Sequence, residues 1–210
     1  MAAGYRGRIL RVNLSTGQTR IERFDEAWYR TYLGGWGLIG YILLTEVPPA
    51  CDALGPENKL IIANGVLTGA PFAGTGRNAV GAKSPLNDGF GAGESGGFFA
   101  AELKHAGWDG IIIEGVAERP VYLWIHDDQV EIRDASHLWG RTTADVDAAI
   151  KEELGEKRLR TTQIGPAGEN LCLHATVMND INRAAGRTGL GAVMGSKKLR
   201  AIAVRGTRRV

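Results

Sequence analysis

Cysteine is nearly absent from this 210-residue chain, in which Cys51 and Cys172 stand far apart and outside any CxxC spacing. Two such thiols cannot hold a four-thiolate iron–sulfur cluster or a structural zinc ion. No disulfide is expected in a reducing compartment. Long hydrophobic runs are missing as well: no stretch approaches the roughly 18 apolar residues that span a bilayer. The N-terminal MAAGYRGRILRVNLS has arginines but no apolar core or cleavage pattern, so a cytoplasmic location without a membrane partner is expected. Nor does charge of one sign dominate. With 25 basic and 23 acidic residues the formal net charge is +2, which speaks against a general nucleic-acid surface. The basic end at Arg200, Arg205, Arg208 and Arg209 reads as solvated.

Standard chemical motifs are lacking too. His105, His126, His137 and His174 show no HxH or HExxH spacing, and Ser84 and Ser95, in glycine-rich loops, do not sit in GxSxG. Gly74-Thr75-Gly76 and Gly89-Phe90-Gly91 do not lead into a dinucleotide fingerprint, and GAVMGSK at 191–197 has the wrong spacing for a P-loop. Paired carboxylates cannot be assigned from spacing alone, although Glu94 and Glu169 fall in loops of the right kind.

What is abundant is glycine. Thirty glycines gather in four runs, 65–86, 89–97, 164–170 and 182–198, beside Arg77, Lys83, Arg183, Arg187 and Lys197. A residue without Cβ lets backbone approach a ligand closely, and neighbouring cations supply donors to anionic oxygens. Any one run reads equally well as an ordinary tight turn, but four together point to a large anionic cofactor.

Periodicity predicts a hairpin across Ser15-Thr16-Gly17 with Ile9, Val12, Leu14 and Ile21 buried. A helix capped by Asp25 and a second over 38–47 follow, then strands at 59–65 and 77–83 and a helix over 97–105 closed by Gly107. DGIIIEG, PVYLWIHDD and QVEIRD read as three successive strands of a meander. A helix over 142–154 follows, capped by Thr142 or Thr143 and closed by Gly155. Strands at TTQIG and LCLHATVMN flank a GPAGEN turn. A helix near 188–198 and a final strand, LRAIAVRG, end the chain. More strands than helices, without regular βαβ alternation, predict an α+β fold. No internal repeat is evident, and the five tryptophans read mostly as core or sheet-face residues.

The motifs VNLSTG, LGGWGL, PENKLIIANGVLTG, GTGRNAVGAKSPL, ESGGFFAAELKHAGWDGIIIEG, IGPAGEN and NRAAGRTGLGAVMGSKKLRAIAV run in order almost from end to end. In sequence and spacing they resemble the N-terminal domain of the aldehyde:ferredoxin oxidoreductases, which would make 1–210 one domain. The resemblance implies two β-sheets forming a saddle, with flanking helices, beneath a tungsten or molybdenum ion held by two pyranopterin dithiolenes. It also implies roles for particular residues. Arg77 matches a family arginine that lies between a pterin and the 4Fe-4S cluster, a two-sided contact that suits guanidinium. Backbone carbonyls of Glu94, where asparagine is common, and of Ala184 match ligands of a magnesium ion between the pterin phosphates. Asn78, Lys83, Ser95, Gly96, Gly97, Arg183, Ala185, Gly186 and Arg187 are the wider set implied for pterin and phosphate contacts.

The family's cluster cysteines, acid/base residues and remaining pterin motifs belong to later domains, and neither Cys51 nor Cys172 matches a cluster ligand. The implied reaction, aldehyde to carboxylic acid with electrons passed to ferredoxin, therefore needs those domains or a separate partner subunit; this chain alone is expected to be inactive. A homo-oligomer is possible within that frame. A non-catalytic pterin-binding module or relic, and a relative acting on another substrate such as an aromatic thioester, are the alternatives. A partner requirement separates the split enzyme from the module.

Overall fold

A computed structural model of the chain describes residues 4–210. The predicted hairpin is there, as β1 (Ile9–Asn13) and β2 (Gln18–Glu22), followed by α1 (Glu26–Tyr32) and α2 (Trp36–Glu46). Asp25 caps α1 by accepting from the Trp28 amide, which satisfies one of the first-turn donors a helix leaves unpaired. Then come β3 (Leu60–Asn64), β4 (Asn78–Lys83), β5 (Phe90–Ser95), α3 (Phe99–His105) and β6 (Gly110–Glu114). The second half carries β7 (Val121–His126), β8 (Gln129–Asp134), α4 (Thr143–Leu154), β9 (Arg160–Gln163), α5 (Pro166–Glu169), β10 (Val177–Asn179), β11 (Arg183–Ala185), α6 (Leu190–Ser196) and β12 (Leu199–Arg205). Thr142 and Gly155 close α4 at its two ends as expected.

Two six-stranded sheets result, ordered β2-β1-β6-β3-β4-β5 and β11-β10-β9-β12-β7-β8. The α+β reading holds. Read from its hairpin edge, the second sheet repeats the first strand for strand. In each, a hairpin comes first, the sixth strand returns parallel to the first, and the third, fourth and fifth continue antiparallel. The chain thus repeats one topology in 9–114 and 121–205, although no repeat is evident in its residues.

The inner faces of the sheets and the helices α3 and α6 share one core. Leu10, Val12, Ile62 and Ile113 meet Leu123, Ile125, Ile202 and Val204, with Phe99, Leu103, Val193 and Met194 among them. On the outer faces α2 covers Ile9, Ile61 and Ile112, while α4 covers Tyr122, Trp124 and Ala203. Sandwiched on both faces, β3 and most of β12 read as continuous apolar runs. Each fully buried aliphatic side chain contributes roughly 1.5–3 kcal/mol.

Several expectations are corrected. Residues 90–95 form a strand and not a loop, so Glu94 and Ser95 belong to β5. The meander does not exist, because β6 joins the first sheet while β7 and β8 pair in the second. Ile21 is 46% exposed, on β2 at the edge of its sheet. GPAGEN holds a single helical turn, and of LCLHATVMN only Val177–Asn179 is extended. Arg200 is buried and not solvated: its Nε lies 2.7 Å from Glu169 Oε1. Glu169 itself is therefore a structural partner.

On the outer face of the first sheet, buried Arg11 joins Glu22, Glu46 and Glu114, and Lys59 joins Glu46. Burial opposes ionisation of Glu46, but hydrogen bonds from Arg11 and Lys59 outweigh it and bring the carboxyl from an ordinary 4.5 to about 2. A group depressed on folding stabilises fully above its unfolded value and loses that contribution as pH falls through the folded one. Glu46→Gln should therefore cost on the order of 2 kcal/mol near neutrality, with the gap to the parent closing between about pH 4.5 and 2 in urea unfolding.

The crossing of α5 and α6 is close because glycine faces glycine. A Cβ on Gly195 would fall inside the contact shell of the Gly168 carbonyl, and one on Gly168 would lie 2.9 Å from the Gly191 carbonyl oxygen. Backbone cannot yield as a side chain does. Gly195→Ala should cost about 3 kcal/mol in thermal or denaturant unfolding, near the upper end for overpacking.

Candidate functional site at the sheet seam

Each sheet ends on an edge strand, β5 in one and β11 in the other, and these edges are packed together. Small residues face each other there: a Cβ on Gly93 would lie in van der Waals contact with Ala185, 3.4 Å from its carbonyl carbon. Polar ties cross the seam. Ser95 Oγ donates to the Arg183 carbonyl at 2.7 Å, Ser84 Oγ to the Thr188 carbonyl at 2.9 Å, and Asn179 Nδ2 to Asn78 Oδ1 at 2.7 Å and the Gly96 carbonyl at 3.1 Å. Asn78, Ser95 and Asn179 are all buried, so these bonds form where water does not compete.

Two clefts open beside β5, and the larger spans the seam. The larger, about 710 Å³, is walled by Arg77, Glu94, Gly96, Gly97 and Phe98 from the first half and Arg160, Asp180, Asn182, Arg183 and Ala184 from the second. The other, about 440 Å³, lies within the first half between Leu33, Gly35, Trp36, Leu67, Gly74 and Asn78, and shares Arg77 and Glu94 with the larger. Arg77 and Glu94 form the ridge between them, 3.9 Å apart and both well exposed.

The larger cleft is cationic after its own pairings are counted. Glu94 faces Arg77, and Asp180 Oδ2 accepts the Phe98 and Phe99 amides at the start of α3. Among the described residues, no carboxylate lies within ion-pair distance of Arg160 or Arg183. Gly96 bears on what the cleft admits. Its φ is not positive and an added Cβ would meet nothing within 4 Å, so neither backbone conformation nor packing within this chain calls for glycine there. A bare backbone wall, flanking guanidinium groups and unfilled volume fit a large anionic group pressed against the seam. Among the described residues no three of His, Cys, Asp and Glu gather in a way that could hold a metal ion. A metal at this seam would thus need ligands from outside these side chains.

Of the residues singled out in the sequence, Arg77, Glu94, Gly96, Gly97, Arg183 and Ala184 meet in the larger cleft. Asn78 and Ser95 stand behind it as seam ties, and Ala185 packs on Gly93. Gly186 and Arg187 are exposed in the turn after β11 and line neither cleft. Lys83 is elsewhere. Its ammonium donates at 2.7 Å to the Pro49 and Cys51 carbonyls and lies 2.8 Å from Asp88, beside a separate apolar groove along α2. Lys197 is buried too, donating to the Asn58 and Gly115 carbonyls, and burial pushes it down to about 8. Both lysines are internal struts. Phe98, Arg160, Asp180 and Asn182 were not singled out. Phe98 and Asn182 border the SGG and RAAGR motifs and were within reach of pattern, whereas Arg160 enters from β9 with no motif around it.

Residues 9–206 match the family described as aldehyde ferredoxin oxidoreductase, N-terminal domain. The chain belongs to that family. It is 56% identical over 204 residues to a tungsten-containing aldehyde ferredoxin oxidoreductase of Thermococcus kodakarensis, a match covering 97% of this chain and 34% of that protein. An aliphatic sulfonate oxidoreductase, WOR-like subunit, of Pyrococcus furiosus is 37% identical over 97% of this chain and 35% of its own length. Among solved structures, the active-site complex BamBC of benzoyl coenzyme A reductase, solved with 1,5 dienoyl-CoA, has a chain that superposes with a TM-score of 0.97 at 42% identity, over 100% of this chain and 32% of that one. The chain therefore spans about a third of the length of the aldehyde ferredoxin oxidoreductases it matches. No helix among the described residues is long and apolar enough to cross a membrane.

The seam itself can be probed. Asn179→Ala leaves Asn78 Oδ1 and the Gly96 carbonyl short of a donor in a dry interface. Urea unfolding should show a loss of about 2 kcal/mol, and amide hydrogen exchange should quicken at β5 and β11 before it does in β3.

Proposed function

We propose that this chain is the cofactor-cradling base of a tungsten-containing aldehyde ferredoxin oxidoreductase, with the rest of the enzyme supplied by further domains or a partner subunit. The observation that carries the reading is the seam: a twice-used topology brings two glycine-rich strand ends together and leaves guanidinium groups facing open volume between them. A bis-pyranopterin would supply the metal, tungsten or molybdenum, and the two-electron oxidation of an aldehyde and water to a carboxylic acid. Its dithiolene sulfurs would hold that metal, in keeping with the lack of a metal-binding cluster among these side chains.

The work of this chain is then to bind and orient. Arg77, on the ridge between the clefts, is suited to touch a group on either side, and its planar fork is what a lysine would lack. Gly96 and Gly97 would present bare backbone to the cofactor and Arg183 would donate to its anionic oxygens. Carbonyls of Glu94 and Ala184 would hold a magnesium ion, and the Glu94 carboxylate adds negative charge where the family commonly has asparagine. Asn78, Ser95 and Ala185 keep the two strand ends in register. Gly186 and Arg187 flank the set, and Lys83 leaves it because its donors are already used. Electrons would pass on through a 4Fe-4S cluster whose ligands are not in this chain, and from there to ferredoxin.

Aldehyde chemistry is preferred over the alternatives because identity to the aldehyde oxidoreductases reaches 56%, against 37% for the sulfonate enzyme and 42% for the benzoyl-CoA reductase chain. Arg183→Ala and Gly96→Val in the assembled enzyme provide the test, with tungsten and pterin per chain measured after gel filtration. Each should fall about tenfold, as expected for losing a charge-assisted contact or a cradle, while the unfolding midpoint stays within a few degrees of the parent's after cofactor removal. Full tungsten and pterin in both variants would overturn the reading.

A further inference from the structure

Arg160 holds a position that the family-derived set of residues does not include. It opens β9, just ahead of the glycine run at 164–170 and outside every family motif, and its guanidinium lies 4.7 Å from the centroid of the Phe98 ring and lines the larger cleft. Phe98 is 63% exposed. It is fixed at the mouth of that cleft because its amide is held by Asp180 and its neighbour Gly97 makes the turn into α3. A large aromatic ring kept in the open, with an arginine laid on it, orients that guanidinium at little entropic cost. Arg160 makes no side-chain hydrogen bond or ion pair among the described residues, and neither does Arg183 across the cleft.

We propose that Arg160, seated on Phe98, forms with Arg183 an anion subsite of the larger cleft that takes a phosphate monoester. Glu94 is turned to Arg77, and Asp180 Oδ2 accepts the α3 amides while keeping its charge. Three arginines against these two carboxylates leave the cleft cationic, with the donors of Arg160 and Arg183 unclaimed by either. Arginine is the fitting residue, because its fork offers paired donors to adjacent phosphate oxygens while its flat face stays on the ring. This rests on the cradle reading above, where the phosphate is the cofactor's; free phosphate has the same chemistry.

The assembled enzyme carrying Arg160→Gln, Arg160→Lys or Phe98→Leu distinguishes these. Two quantities are read: pterin and tungsten retained per chain after gel filtration, and the affinity of the cofactor-stripped enzyme for inorganic phosphate by calorimetry. Arg160→Gln should lower both about tenfold, with Arg160→Lys and Phe98→Leu between it and the parent. Loss of phosphate affinity with full cofactor retention would keep the subsite and assign it to free phosphate. Unchanged values for both in Arg160→Gln would overturn the proposal. If Arg183→Ala and Gly96→Val still lose cofactor in that case, the cradle stands without Arg160; if they too retain it, the cradle itself falls. Unfolding midpoints of the stripped variants, expected to match the parent's, separate lost binding from lost fold.

Discussion

The site in this fold depends on two sheet edges lying against each other with only small and hydrogen-bonded side chains between them. Edge strands are ordinarily a hazard, because their unpaired backbone invites further strands. Here β5 and β11 shield one another, with Gly93 and Ala185 facing each other at the contact. The hydrogen bonds from Ser95, Ser84 and Asn179 then fix the register of the approach. Register matters because Glu94 and Ala184 lie on opposite strands of that seam. Neither half of the chain contains the site, and any slippage at the seam would separate its two walls.

The distribution of charge follows the same division. Inside the body, cations are matched at close range: Arg11 by three glutamates, Lys104 by Asp109, Arg200 by Glu169. Such pairs offset the desolvation that burial imposes, and removing one partner leaves the other exposed to its full cost. At the seam the matching stops. Arg160 and Arg183 face solvent-filled volume with their donors free, which is affordable only because both remain partly hydrated. What sets these two apart is that their unclaimed donors line one cleft, where a ligand of opposite charge can reach both.

Much of this was legible in the sequence, for reasons that differ by element. The β1–β2 hairpin, α1 behind Asp25 and α4 between Thr142 and Gly155 follow from alternation and capping, which are local. The strand β5 escaped notice because FGAGES offers glycine at every second position, so its pattern carries no apolar face to read. Nothing local distinguishes β6 from the hairpin partner of β7 either; only the long return that sets β6 beside β1 does. The repeated topology is invisible for a related reason. Pairing order is preserved between the halves while the side chains filling it differ, as Leu60–Asn64 and Arg160–Gln163 make plain. Glycine runs beside arginine did mark most of the larger cleft. Lys83 shared that pattern and went elsewhere, since three acceptors on the α2 side reach its ammonium first.

Unequal linings on the two sides of one ridge explain what kind of ligand the site can select. The larger cleft takes walls from both halves of the chain, whereas the smaller lies within the first, so the repeat does not make the two equivalent. Their side chains differ. One cleft is lined by Arg160, Arg183 and Asp180, the other by Leu33, Trp36 and Leu67. The orientation of a ligand that spans the ridge is decided by which arm presents charge and which presents apolar surface. Desolvating an anion against Leu33, Trp36 and Leu67 would cost several kcal/mol, whereas Arg160 and Arg183 offset that cost on the other side. The Arg77–Glu94 ridge therefore divides a charged wall from a more apolar one, and that difference gives the site its direction.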